Sequence, residues 1–394
     1  MINKLKVQCF KSIESVELEL GHVNVFIGAN GCGKSNLLEA LGVIAAAAFG
    51  RVDEESLVRR GCRPGGIFEP MFQHTPIHAN TSIEAFGGNE SYSIRLNNKH
   101  DSPRVRGWAF ESEIVKSGQR TIVERPNLDG TSTGDPQVGL AALKLAEIDA
   151  NDPAAIFLKT LSAYNIYSPD TPVLRGLMQD AQLREPVGLS GGRLAEAVSE
   201  LIKTPQLYTK LTDEFRLSFE WFENFFPLEP PPKKDDPKLT PPRLTFLDRY
   251  FRADKKGARY LLLVNEINEG ALYFLFVSAL CLHPAAPKLF ALDNADHGMN
   301  PLLARRLIDK ICHWLLEGKE ARQVLMTTHN PLVLDGLPLQ DERVRLFTVD
   351  RDSKGTTCVK RFIVTDEHRK LAQEKEWPLS RMWVNGLIGG VPNV

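Results

Sequence analysis

Three features of the chain predict an α/β fold with a mixed or parallel sheet, a small antiparallel β layer and a mainly helical insertion. A glycine-rich turn joins an apolar strand to a helix near the N-terminus, runs of alternating polarity fill residues 80 to 120, and strands alternate with helices after residue 260. Strand–helix alternation implies a parallel sheet, whereas period-two alternation implies strands with one covered face.

The elements follow in order. Val16, Leu18 and Leu20 alternate with Ser15, Glu17 and Glu19, and HVNVFIG then reads as a more buried strand. After the glycine turn, NLLEALGVIAAAAF has the length and residue types of a helix. SYSIRLN and GWAFESEIV alternate as strands of the antiparallel layer, and helical patterns dominate from about 135 to 226. The cluster PLEPPPKKDDPKLTPPR at 227–243 suits neither a central strand nor a helix interior, and is expected to be a surface loop or linker. A helix at 271–282, a buried strand at 288–293, a helix at 302–316, a strand at 323–328 and a hairpin around Asp350 to Gly355 complete the prediction. The expected division is a core of residues 1–75 and 260–394, a β layer at 76–130 and a mainly helical insertion at 131–259.

Composition narrows the function. The chain has 394 residues, 43% of them hydrophobic, enough for one large core or two modest ones. Lys plus Arg number 48 against 49 Asp plus Glu, so no overall field draws it to nucleic acid or anionic lipid. The six cysteines are widely spaced with no C-x-x-C pair, which argues against zinc and disulfides and fits a reducing cytoplasm. MINKLKVQCFKS carries no apolar leader, and the longest apolar run, ALYFLFVSALCL, is too short to cross a bilayer. A soluble, unprocessed protein with no membrane contact is expected. His74 and His78 have no carboxylate or cysteine at ligand spacing and are expected to be ordinary surface or core histidines.

Gly28-Ala29-Asn30-Gly31-Cys32-Gly33-Lys34-Ser35 matches G-x-x-x-x-G-K-S between a strand and a helix, the setting this phosphate-binding motif needs. The glycines turn backbone amides toward phosphate oxygens, and the helix N-terminus adds favourable potential. Lys34 is expected to reach the β and γ phosphates of ATP and Ser35 to ligate Mg²⁺, with Asn30, Gly31, Cys32, Gly33 and Asn36 completing the cradle.

LKVQCFKSIESVELELGHVNVFIGANGCGKSNLLEAL resembles the opening of the RecF, OLD and SMC-like branch of ABC ATPases. LFALDNADHGMNP and VLMTTHNPLVLD resemble that branch's Walker B strand, D-loop and switch histidine. The likeness covers roughly the first 50 and the last 130 residues, and implies an ABC ATPase-like P-loop domain whose two copies sandwich two ATPs, each P-loop facing the partner's signature motif. It also implies that Asp293 and Ser35 hold Mg²⁺, that His329 contacts the γ-phosphate, and that Asp296, Gly298 and Asn300 line the dimer seam. Gln73 is a candidate Q-loop glutamine.

Leu189-Ser190-Gly191-Gly192-Arg193 looks like a transporter signature but lies about a hundred residues before Asp293. In this branch the signature opens the helix just before the Walker B strand, which places it at Asn265 to Gly270. Asn268 is then the expected N-cap and γ-phosphate contact, with Gly270 beside it, and Glu269 must turn away from phosphate. The LSGGR stretch is expected to be a turn leading into the helix LAEAVSELIK.

Where the resemblance expects a catalytic glutamate, the chain carries Asn294, which orients water but accepts no proton. General-base help is worth about 10²- to 10⁴-fold, so turnover is expected to be slow, with Asp296 and His329 the nearest substitutes. Three functions compete: a slow ATP-closed switch controlling a separately encoded nuclease or toxin in anti-phage defence, a RecF-like DNA-repair ATPase, and an ATP-bound scaffold that does not hydrolyse. Only about 60 residues follow the switch region, too few for a fused TOPRIM nuclease. Arg249, Arg252, Lys255, Lys256 and Arg259 form a positive run diluted by Asp248 and Asp254, a weak basis for nucleic-acid contact. Met382, Trp383, Leu387 and Ile388 are expected to pack on the chain's own core.

Overall fold

The structure, a computed structural model, describes residues 1–63, 80–97, 108–126, 135–228, 243–253, 255, 257–318 and 320–390. They form two compact units, described separately: Met1–Ile166 with Pro287–Ala295 and Leu315–Val394, and Tyr167–Ala286 with Asp296–Trp314.

The first unit is organised around the helix Lys34–Phe49. Every residue from Leu37 to Ala48 in it is buried. A helix that is apolar on all sides must be covered on all sides. Two sheets and the helices Leu140–Leu145 and Pro153–Ser162 cover it.

One of these sheets is antiparallel throughout, in the order Ile13–Glu19, Lys4–Phe10, Thr81–Phe86, Glu90–Asn97, Ala109–Ser117, Arg120–Arg125. The predicted alternation appears as burial: Val16 and Leu18 face in, Glu17 and Glu19 face out. This layer is larger than the sequence suggests, because Lys4–Phe10 pairs with Thr81–Phe86 and so brings in the N-terminal hairpin. Periodicity identifies a strand but does not specify a distant partner.

The other sheet runs Thr357–Phe362, Val344–Arg351, Val23–Ile27, Gln323–Thr328, Leu289–Leu292, with the two-residue strand Ile166–Tyr167 at its edge. Val23–Ile27 lies parallel to both of its neighbours, and Leu289–Leu292 lies parallel to Gln323–Thr328. The predicted hairpin adds an antiparallel pair to this sheet, Val344–Arg351 with Thr357–Phe362. The register sets Ile27 level with Thr328. The phosphate loop, Asp293 and His329 therefore all leave the carboxyl ends of adjacent parallel strands, where open α/β sheets place ligands.

The second unit packs the helix Glu269–Leu282, buried from Gly270 to Leu282, against Leu194–Ile202 and Pro205–Ser218. Beside them lies an antiparallel sheet with Arg243–Asp248 between Phe222–Leu228 and Leu261–Leu263. The ring of Phe215 meets Phe219 and Phe222 at 4.5 Å each and Phe225 at 5.0 Å. Residues 131–259 thus carry strands as well as helices. FENFFPL, which begins inside the stretch read as helical, forms a strand because its rings suit a half-buried pleated surface. Of the predicted proline-rich linker, 229–242 lies outside the described residues, while Pro227, Leu228 and Arg243 sit in paired strands. Among the described residues no helix is long and apolar enough to cross a membrane.

Gln323 ties the two sheets of the first unit together. Its fully buried amide accepts from the Ile2 backbone nitrogen at 2.9 Å and donates to the carbonyls of Ile2 and Gly21 at 2.7 Å each. Gln323→Leu leaves those three backbone groups without this partner. It is expected to lower unfolding free energy by about 2–3 kcal/mol, measured as a fall in the urea midpoint at constant slope.

Candidate nucleotide site

In the first unit, the loop Gly28 to Ser35 runs from Val23–Ile27 into Lys34–Phe49. Gly33 is obligatory twice over: its φ of 107° is left-handed, and a Cβ there would lie 2.1 Å from Thr357 Oγ1. The first turn of the helix has no side-chain cap and no acidic residue, so no side chain competes with an external anion for its amides. Lys34 Nζ folds back over the loop and donates to the carbonyls of Gly28 and Ala29 at 2.8 Å each. That geometry holds the ammonium inside the cradle.

Ser35 Oγ donates toward both oxygens of Asp293 at 3.0 Å. Thr327 Oγ1 donates to Asp293 Oδ1 at 2.5 Å and accepts from the backbone nitrogen of Asn294 at 2.8 Å. One hydroxyl on the strand before His329 therefore positions both the carboxylate and the turn after it. Asn294 takes a left-handed φ of 53° and, like His329, is exposed. The structure gathers Asn30 to Asn36, Asp293, Asn294 and His329 at one end of one sheet.

A second network braces the loop from the side. Asn36 Nδ2 lies 2.7 Å from Ser12 Oγ, which lies 2.7 Å from Thr357 Oγ1, which in turn donates to the Cys32 carbonyl at 2.9 Å. Donors and acceptors alternate consistently when the Ser12 hydroxyl donates to Thr357. The Asn36 side chain, expected at the cofactor, is committed here to Ser12 and to Arg63 at 3.2 Å. Beneath it, the buried Glu39 carboxylate pairs with Lys11 and with Arg63 Nε, the latter at 2.6 Å. Burial alone would push the Glu39 carboxyl up, but hydrogen bonds from Arg63 and Lys11 and their charges bring it below its ordinary value of 4.5. Burial dominates at Cys32 and raises its thiol, so it is no ready thiolate.

Sequence reasoning did not single out Thr327, Ser12, Thr357, Glu39 or Arg63. Thr327 could have been found from VLMTT, where a hydroxyl points into an otherwise apolar buried strand. The others act through contacts far apart in the chain.

Asn268, Glu269, Gly270 and Asp296 belong to the second unit. Asn268 caps Glu269–Leu282 as expected: its Oδ1 accepts from Ala271 N at 2.9 Å, and the residue is exposed at the helix tip. Glu269 is turned aside onto the Thr171 hydroxyl, with His297 Nε2 at 3.8 Å. A Cβ on Gly270 would lie 3.1 Å from the Gly298 carbonyl, so this helix tip and the 296–300 turn pack closely. Asp296 is buried, and its Oδ1 has no hydrogen-bond partner among the described residues. LSGGR forms a turn before Leu194–Ile202, also as expected. Gln73, His74, His78, Asp254 and Lys256 lie outside the described residues. Met382, Trp383 and Ile388 are buried in the first unit, where Trp383 Nε1 donates to the Gly389 carbonyl at 2.8 Å, while Leu387 is exposed.

Residues 1–98 match the family described as "AAA ATPase domain", and residues 164–335 match "AAA domain, putative AbiEii toxin, Type IV TA system". Among curated proteins, the DNA replication and repair protein RecF of Magnetococcus marinus is 31% identical over 125 residues, 31% of this chain and 32% of that one. RecF of Streptococcus thermophilus is 25% identical over 168 residues, 42% of each chain. The matches thus span less than half the length of these relatives. Among solved structures, an SMC head bound to the C-winged helix domain of ScpA superposes with a TM-score of 0.55 at 13% identity, covering 93% of this chain and 99% of that one. The Pyrococcus furiosus SMC head with an extended coiled coil, bound to the C-terminal domain of ScpA, gives 0.53 at 12% identity, covering 95% and 99%. The fold is that of an SMC head, α/β with parallel and antiparallel sheets, and the matches support an ABC-type P-loop ATPase of the RecF and SMC branch.

Two outcomes follow from the geometry. Thr327→Val keeps the buried shape but removes the hydroxyl between Asp293 and Asn294. Magnesium-dependent affinity for a fluorescent ATP analogue is expected to fall by about tenfold or more, with metal-free affinity little changed. For Glu39, a lowered carboxyl contributes stability above its ordinary range and loses it as pH falls through the depressed value. Glu39→Gln is therefore expected to be less stable at neutral pH and to show a shallower acid loss in denaturation midpoints taken from pH 7 to pH 3.

Proposed function

We propose that two copies of this chain close on magnesium-bound ATP, the phosphate loop of one facing the Asn268 helix tip of the other. The closed pair acts as a slowly hydrolysing switch over a separately encoded effector, a nuclease or toxin, in anti-phage defence. The observation that carries this reading is the pairing of a well-held Asp293 with an exposed Asn294: a place for the metal survives where the general base is missing.

The residues fit the metal. A hydroxyl and a carboxylate, both hard oxygen donors, converge at Ser35 and Asp293, and no basic side chain is recorded in a salt bridge with Asp293 among the described residues. Mg²⁺ bound there would neutralise charge on the phosphate oxygens. Lys34 would exchange the Gly28 and Ala29 carbonyls for β and γ oxygens, with no change in the fold of the loop. Asn294 and His329, both exposed at the strand ends, would orient water and contact the γ-phosphate. Asp296 is buried, so its carboxyl is less open to an attacking water than the exposed Asn294 and His329. In the partner, the Asn268 Oδ1 already accepts from its own helix, which leaves the amide NH₂ to donate outward.

Support for the defence role comes from the family description over residues 164–335, which names a toxin of a toxin–antitoxin system. The SMC heads with which the chain superposes are bound to domains of ScpA, which supports a head that works through other polypeptides. RecF-like DNA repair is the second reading, favoured by the curated relatives and by the exposed Arg249, Tyr250, Phe251 and Arg252.

Purified protein is expected to bind ATP tightly and to turn it over slowly, with Asn294→Glu raising kcat by about 10²-fold or more. Turnover at about tens per second with no gain in that variant would remove the slow-switch reading. Lys34→Ala is expected to abolish ATP binding. Native mass measurement with and without ATP reports stoichiometry and bound partner together. A nuclease or toxin bound without DNA affinity supports defence, salt-sensitive DNA affinity supports repair, and an assembly indifferent to nucleotide leaves only a scaffold.

A further inference from the structure

The LSGGR turn, which the nucleotide site does not use, forms one wall of a pocket of about 460 Å³ within the second unit. The turn is rigidly built. Asp180 Oδ2 accepts from the backbone nitrogens of Ser190 and Gly192 at 3.0 Å each. Gly191 has a φ of 111°, and a Cβ there would lie 2.3 Å from Leu174 Cδ2. Absence of that side chain is what lets Leu174 seat against the turn.

Leu174, Leu194 and Leu244 give the pocket an apolar lining, and the apolar surface continues over the rim through Leu177 and Leu263, which are 67% and 40% exposed. Arg175 and Arg243 add two positive charges against the one carboxylate of Glu196. Neither arginine is recorded in a salt bridge among the described residues, and the buried Nε of Arg175 has no hydrogen-bond partner there. A pocket of this volume holds an anchor side chain with neighbours, and the exposed leucines extend contact beyond what a small solute covers.

The same pocket reaches the signature by two contacts. Arg175 Nη2 donates to the Ile267 carbonyl at 3.2 Å, one residue before Asn268, and Thr171 at the start of the same short helix holds Glu269, one residue after it. Leu263, Val264 and Asn265, which also line the pocket, lead directly into that tip.

We propose that this pocket docks an effector segment carrying an apolar anchor next to an acidic residue, and that Arg175 transmits its occupancy to Asn268. The proposal rests on the switch reading for its effector, but the pocket itself is testable without nucleotide. A displayed library of short random peptides, selected on the full-length chain, is expected to enrich Leu, Phe or Ile beside Asp or Glu. Synthetic winners are expected to bind at least about tenfold tighter than isomers with Lys in place of the acid, read by fluorescence anisotropy. Ala195→Trp, which fills the pocket, is expected to abolish binding, and Arg243→Glu to erase the preference for acid, both with unchanged circular dichroism. Winners are expected to shift ATP-dependent self-association of the wild type but not of Arg175→Leu. Selection of no acidic motif, binding that survives Ala195→Trp, or displacement of every winner by octanoate at equal concentration would overturn the proposal. Loss of ATP-dependent association with peptide binding intact would instead count against the switch and leave the pocket standing.

Discussion

The helix Lys34–Phe49 must be buried on every face, and this requirement organises the first unit. A helix with no polar stripe has no stable place at a surface, so strands are needed on more than one side of it. That need explains why the N-terminal hairpin joins the 80–125 strands in one sheet while Val23–Ile27 enters another. It also explains the one charged side chain in the helix interior. Glu39 lies within the packed region, where an unpaired carboxylate would be costly, and the Lys11 and Arg63 cations make it tolerable. The tip of the same helix is Lys34 and Ser35, so whatever fixes the helix also fixes the phosphate loop.

Much of this was legible in the sequence, for identifiable reasons. The phosphate loop is written in consecutive residues whose chemistry is local, and the strand and helix around it follow from composition alone. Asn268 was legible because an N-cap is a local decision between a side chain and its own backbone. Thr327 and Thr357 were not, because their roles depend on register: Thr327 meets Asp293 only because Gln323–Thr328 lies beside Leu289–Leu292. The strand Phe222–Leu228 was hidden for a similar reason. Its partner, Arg243–Asp248, lies beyond a proline cluster that reads as an interruption.

The two glycine-rich turns show why a string of letters needs a setting. The 28–35 turn opens onto a helix whose first amides are uncapped by any side chain. The LSGGR turn is instead closed on itself by Asp180, which takes up the backbone donors a phosphate would otherwise meet. A carboxylate already placed there opposes a second anion, so that turn makes a poor phosphate contact and serves as a firm wall.

Asn294 fits its backbone as well as its proposed chemistry. Its φ of 53° lies in the left-handed region, which Asn enters more readily than longer side chains because its short amide bonds locally. The turn is then locked by Thr327, whose hydroxyl serves Asp293 and the Asn294 backbone together. A glutamate here would meet a conformational cost of about 1–2 kcal/mol before contributing any base. General-base catalysis is worth about 3–5 kcal/mol, so a glutamate would still be a net gain for hydrolysis. The backbone therefore favours asparagine without requiring it, and local strain alone does not account for its place beside Asp293.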